Sequence, residues 1–149
     1  GSQERSRRAG TENVAGIVGF SKAIDILRKS IDLNISKRFA LRDYFLNKLQ
    51  ENIPKYVING SLDNRASGNI NISFPGVDKE MIIMSMDLRG ICISGGSACS
   101  SGAVENSHVL ESMNLDDELK NSAIRISFSE NNSFEEIDEF IIALKEIID

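Results

Sequence analysis

Cys99 stands in the middle of SGGSACSSG at residues 94–102, where every other position is Ser, Gly or Ala. A cysteine acts as a nucleophile through its thiolate, and a free thiol titrates near about 8.5, lower beside cations or helix N-termini. Gly95, Gly96 and Gly102 relax the backbone around it, so a thiol here can reach a substrate lying away from its resting place. The same composition also suits an unreactive small residue in a turn, and both readings stand on the residues alone.

Three further positions offer chemistry. Arg125 lies in AIRISF, where a planar guanidinium could grip a carboxylate with two parallel hydrogen bonds or pair with a neighbouring surface acid. His108, the single histidine, falls nine residues after Cys99 at an expected helix start, where it is either a thiol partner or a packing and capping residue. The stretch RRAGTEN before the first helix supplies arginines, Thr11 and backbone amides, the ingredients of an anion site, although capping by Thr11 or Asn13 explains it as well. Cys92, flanked by Ile91 and Ile93, reads as a small buried hydrophobe. Two cysteines make neither a disulfide framework nor, without clustered histidines, a zinc site.

The elements that position these residues follow from periodicity. Ile17, Phe20, Ile24, Leu27 and Ile31 are spaced as one face of a helix; Ile35, Phe39, Leu46, Leu49 and Ile53 continue it until Pro54. The pattern leaves open one long helix or a break near residues 32–36. Short strands are expected at residues 56–58, 70–74, 91–93 and 123–128, and helices at 78–88, 107–113 and 116–121. In the last strand Ile124, Ile126 and Phe128 share one face and Arg125 takes the other. Ser133 and Glu136 form a capping box ahead of a final helix whose apolar stripe is Phe134, Ile137, Ile141, Leu144 and Ile148. The expectation is an α/β two-layer fold, a small sheet covered by helices.

At 149 residues the chain has the size of one domain. No apolar run approaches a membrane span, and GSQERSRRAG has no apolar stretch behind its charges, so neither membrane insertion nor a signal peptide is expected. The net charge of −5 is uneven: from Glu105 onward twelve acids face only Lys120, Arg125 and Lys145. Such an acidic end disfavours nucleic acid, and the sparse cysteines fit a reducing, cytoplasmic setting.

The pieces QERSRRAGTENVAGIVGFSKA, NISFPGVDKEMI, ISGGSACSSGAVENSHVL, LDDELKNSAIRISFS and FEEIDEFI, in this order, make the whole chain resemble the cysteine desulfurases of the NifS/IscS type, class-V aminotransferase relatives. The resemblance implies the C-terminal small domain of a fold-type I pyridoxal phosphate enzyme: residues 1–13 follow the cofactor-lysine region, and residues 14–149 form a connecting helix and a small domain carrying the loop at 94–102. It implies that Cys99 takes sulfur from L-cysteine as a persulfide, leaving L-alanine. By the same resemblance Arg125 holds the substrate carboxylate and Thr11 reaches the cofactor phosphate of the other subunit in a homodimer. The persulfide would pass to an acceptor such as an iron–sulfur scaffold protein. No resident metal is implied, although the Cys99 persulfide could touch a cluster during transfer.

The family holds its cofactor on a lysine in a Ser-x-His-Lys context, and none of the eight lysines here follows such a motif. The chain alone is therefore expected to be inactive. A stand-alone persulfide carrier or partner-binding module is the alternative reading. Three residues at two places depart from the family pattern, Asn106 where proline is usual and Ser129-Glu130 where Gly-Arg is usual, and they bear on loop stiffness and on charge near the Arg125 strand.

Overall fold

A computed structural model describes residues 4–95 and 107–148, and the chain divides into two units, Gly1–Leu33 and Asn34–Asp149. Helix α1 (Val14–Asn52) begins in the first unit. Asn13 caps it, its Oδ1 accepting the Gly16 N–H at 3.0 Å. The expected stripe from Ile17 to Ile31 has helical spacing but remains exposed, from 39% at Ile31 to 70% at Phe20. A helix buries such a stripe only against a second layer.

In the second unit α1 turns Leu41, Phe45 and Leu49, four residues apart, into the core, followed by Ile53 just past its end. Leu49 and Ile53 are buried as expected, whereas Leu41 and Phe45 take the core places expected of Phe39 and Leu46. Phe39 is exposed, with the Arg42 guanidinium 4.8 Å from its ring, and Leu46 is only partly buried. Periodicity shows that a helix has an apolar face, while the layer it meets selects which i, i+4 row is used.

That layer is an antiparallel sheet of β1 (Val57–Ile58), β2 (Asn69–Ser73) and β3 (Ala123–Ser127), in that order. Ile58 pairs with Ile72, Ile70 with Ile126 and Ile72 with Ile124, so the isoleucines line one face. Asn71 pairs with Arg125, and Ser73 with Ala123, on the opposite face. Helix α2 (Lys79–Asp87), capped by Asp78, and helix α5 (Phe134–Ile148) complete the core with Ile82, Met86, Ile137, Phe140 and Leu144. The Phe45 ring lies 5.5 Å from Phe128 and 5.6 Å from Phe140, in the tilted and edge-on arrangements that aromatic quadrupoles favour. The capping box forms as expected: Ser133 N–H donates to the Glu136 carboxylate at 3.1 Å, and Glu136 N–H to Ser133 Oγ at 3.3 Å.

Two short helices, α3 (His108–Ser112) and α4 (Asp117–Asn121), follow the polar side of the chain's middle. The strand expected at residues 91–93 is absent. Only Ser94 pairs, in an isolated antiparallel bridge with Arg125. Cys92 accordingly differs from expectation: it is a free, exposed thiol, because Ile91 and Ile93 make the core contacts on either side of it.

Candidate active site

The candidate site is built on the polar face of the sheet. Alternation along β3 directs Ile124 and Ile126 to the core and leaves Arg125 half-buried on the other face. Both backbone groups of Arg125 are used outward: its N–H donates to Ser94 O at 2.6 Å and its C=O accepts from Ser94 N–H at 3.2 Å. On the β2 side Arg125 and Asn71 therefore face one another as a non-hydrogen-bonded pair, the kind in which side chains approach most closely. Among the described residues, no ion pair or side-chain hydrogen bond engages the Arg125 guanidinium.

Asn71 is held from the far side. Asn59, 2% exposed, donates from Nδ2 to Asn71 Oδ1 at 2.7 Å and to Ser73 Oγ at 2.8 Å. Ser73 Oγ in turn donates a hydrogen bond to the Leu119 carbonyl at 2.7 Å, which ties α4 to the sheet. Asn59 Oδ1 is buried and has no partner.

Arg65, between β1 and β2, donates from Nε to Ser61 O at 3.0 Å and from Nη2 to Asn59 O. A side chain at Gly60 would start 2.9 Å from Arg65 Nη2, and Gly60 has φ +84°, so both space and backbone call for glycine there. Burial, then the like charge of Arg42, holds the Arg65 pKa below its ordinary value, but a guanidinium stays protonated throughout the working range.

Together Asn59, Gly60, Arg65, Asn71, Leu110 and Arg125 line a hollow of about 350 Å³. Its chemistry is two guanidiniums, amides and an apolar wall, a set that suits a small carboxylate.

Of the residues singled out in the sequence, Arg125 lines this hollow. Thr11 belongs to the first unit and is exposed; Asn13 does the capping, and the Thr11 hydroxyl makes no hydrogen bond among the described residues. His108 is exposed at the first position of α3 and does not line the hollow. Cys99 lies outside the described residues, as does Asn106. Glu130 is described, and its backbone carbonyl accepts from Lys37 Nζ at 2.5 Å. No group of acids, histidines and cysteines suited to a metal occurs among the described residues. Reading the sequence for chemistry missed Asn59, Asn71 and Arg65. The alternation of Asn69, Asn71 and Ser73 with Ile70 and Ile72 was a signal for the first strand partner; Arg65, in an aperiodic connection, had none.

The helix-covered antiparallel sheet is shared with NifS-like proteins. The structure matches a NifS-like protein from Rickettsia africae with a TM-score of 0.83 at 34% identity, covering 99% of this chain and 38% of that one. Residues 2–140 match the aminotransferase class-V family, and the chain belongs to it. Among similar curated proteins, cysteine desulfurase IscS of Dictyoglomus turgidum is 42% identical over 149 residues, and a cysteine desulfurase of Nostoc sp. is 41% identical over 149. Each match covers all of this chain, which spans 38% and 37% of those relatives' lengths.

Proteins of this family generally work with pyridoxal phosphate. The hollow does not by itself fit that group: no lysine lines it, and its donors match a carboxylate better than a ring that must be held covalently.

Proposed function

We propose that this chain is the C-terminal part of a pyridoxal phosphate-dependent cysteine desulfurase, acting on L-cysteine. The observation that carries the reading is the half-buried Arg125 guanidinium, unpaired among the described residues, in a hollow of amides, in a chain whose relatives are named cysteine desulfurases. Arg125 orients the substrate by its carboxylate, with bidentate geometry that a lysine could not reproduce. Asn71, locked by Asn59, keeps the neighbouring surface polar and rigid.

Cys99 receives the sulfur. The net conversion balances as L-cysteine plus the Cys99 thiol giving L-alanine plus the Cys99 persulfide, the thiol proton ending on the alanine product. The Ser94–Arg125 bridge supports this assignment, because the run that contains Cys99 starts from the same strand residue that binds substrate. Thr11, with its free hydroxyl, is assigned to the cofactor phosphate of a partner subunit in a cytoplasmic homodimer, and an iron–sulfur scaffold protein is the proposed sulfur acceptor.

The lysine that holds the cofactor is supplied outside this chain, so the 149-residue chain alone is inactive. Mixed with pyridoxal phosphate and L-cysteine, it should yield no alanine; alanine formation would overturn that statement. In the longer protein, Cys99→Ala should abolish persulfide detected by mass spectrometry, and a persulfide retained at another position would remove Cys99 from the role. The second reading, a persulfide carrier without cofactor chemistry, is favoured by the absence of a Ser-x-His-Lys motif among these lysines. It requires the isolated chain to take up one sulfur from a persulfide donor in a Cys99-dependent way, and no adduct would exclude it.

A further inference from the structure

Arg65 is a charged group with no part in the reading above. Two of its nitrogens hold the carbonyls of Ser61 and Asn59, while Nη1 is buried without a hydrogen-bond partner among the described residues. No carboxylate pairs with it among the described residues. Arg42, the one charged side chain that acts on its titration, is a like charge and is itself engaged by Asp43 at 2.7 Å. A part-buried cation without a counter-charge carries a desolvation cost, and a low-dielectric wall focuses its field into an adjoining hollow. The hollow that Arg65 lines is the one that Arg125 lines.

We infer that Arg65 is a positioning residue of the Arg125 site: its unneutralised charge favours the carboxylate of an α-amino acid in the hollow, and its fork holds Asn59, which fixes Asn71 beside Arg125. The inference rests on Arg125 being the carboxylate-binding residue. Arg65 contributes through field and scaffold, so its charge matters more than its shape for affinity. Asn59 Oδ1, buried and unpaired, adds an acceptor in the same wall.

The test is titration of the 149-residue chain with L-alanine, acetate and methylamine at constant ionic strength, followed by the arginine Nε–H and asparagine Nδ2–H₂ nuclear magnetic resonance signals. Both carboxylates should shift the Arg125 and Arg65 signals with one shared midpoint, and methylamine should not. An Arg65 signal unmoved while Arg125 saturates overturns the inference without recourse to any variant. Arg65→Met should weaken acetate binding about five-fold, and Arg65→Lys, which keeps the charge, should recover most of it. Equal loss in both variants with native spectra marks Arg65 as merely structural and also overturns it. Arg65→Met binding like the unaltered chain, with Arg125→Gln losing binding, defeats the inference and leaves the Arg125 reading standing; absence of carboxylate binding to the unaltered chain defeats both on this chain.

Discussion

Ser94 and Arg125 exchange both backbone hydrogen bonds, at 2.6 and 3.2 Å, across the outer edge of β3. A single bridge therefore joins the start of the serine- and glycine-rich run to Arg125, whose guanidinium no described residue pairs with. It also explains why Asn71 and Arg125 are close side-chain neighbours, since the backbone of Arg125 is committed to the other side.

Replacing Ser94 by proline removes one of the two donors of this bridge. Native-state hydrogen exchange should show faster exchange at the Arg125 amide, with the amides of Ile124 and Ile126, which face β2, unchanged. Uniform acceleration along β3 would mean that the bridge supports the whole strand.

Arg125→Gln removes a guanidinium that no described residue pairs with. Its effect on unfolding free energy should stay within about 0.5 kcal/mol, as for surface changes that touch no special feature. In the longer protein the same change should lower kcat/KM for L-cysteine at least ten-fold, as expected when a charge-assisted bidentate contact is lost. A large stability loss measured by urea denaturation would instead make Arg125 a structural residue.

Asn59→Ala deletes one buried and one part-buried hydrogen bond and leaves Ser73 Oγ and Asn71 Oδ1 short of a donor. The cost should be about 1–3 kcal/mol, the penalty for stranding buried polar groups. Urea unfolding of the variant measures it directly, and a change under a few tenths would show that water replaces the amide without loss.

The capping box of α5 gives a pH dependence with a definite sign. Hydrogen bonds from Asn132 and then from the Ser133 backbone hold the Glu136 carboxyl below its ordinary value. With the folded pKa below the unfolded one, the contribution is complete above the unfolded value of about 4.3 and is lost as pH falls through the folded value. The advantage of the unaltered chain over Glu136→Gln in urea midpoint should therefore be present at neutral pH and vanish in acid. Ser133→Ala should cost about 1 kcal/mol at neutral pH.

What one element dictates about itself was legible in the sequence. Side chains alternate along a strand and recur every 3.6 residues along a helix, so the opposite faces of Ile124 and Arg125, the α5 stripe and its Ser133–Glu136 box followed from local spacing alone. The motifs around Cys99, Thr11 and Arg125 likewise pointed to a family that the comparisons bear out. What depends on which surfaces meet was decided only by the tertiary structure. The Leu41, Phe45 and Leu49 row was selected by the sheet beneath it, the exposure of Cys92 by residues 91–93 not forming a strand, and the Asn59–Asn71–Arg125 alignment by strand register. Arg65 reaches that alignment from a connection with no period, and the neighbours of such a residue are set by long-range packing that local spacing does not encode.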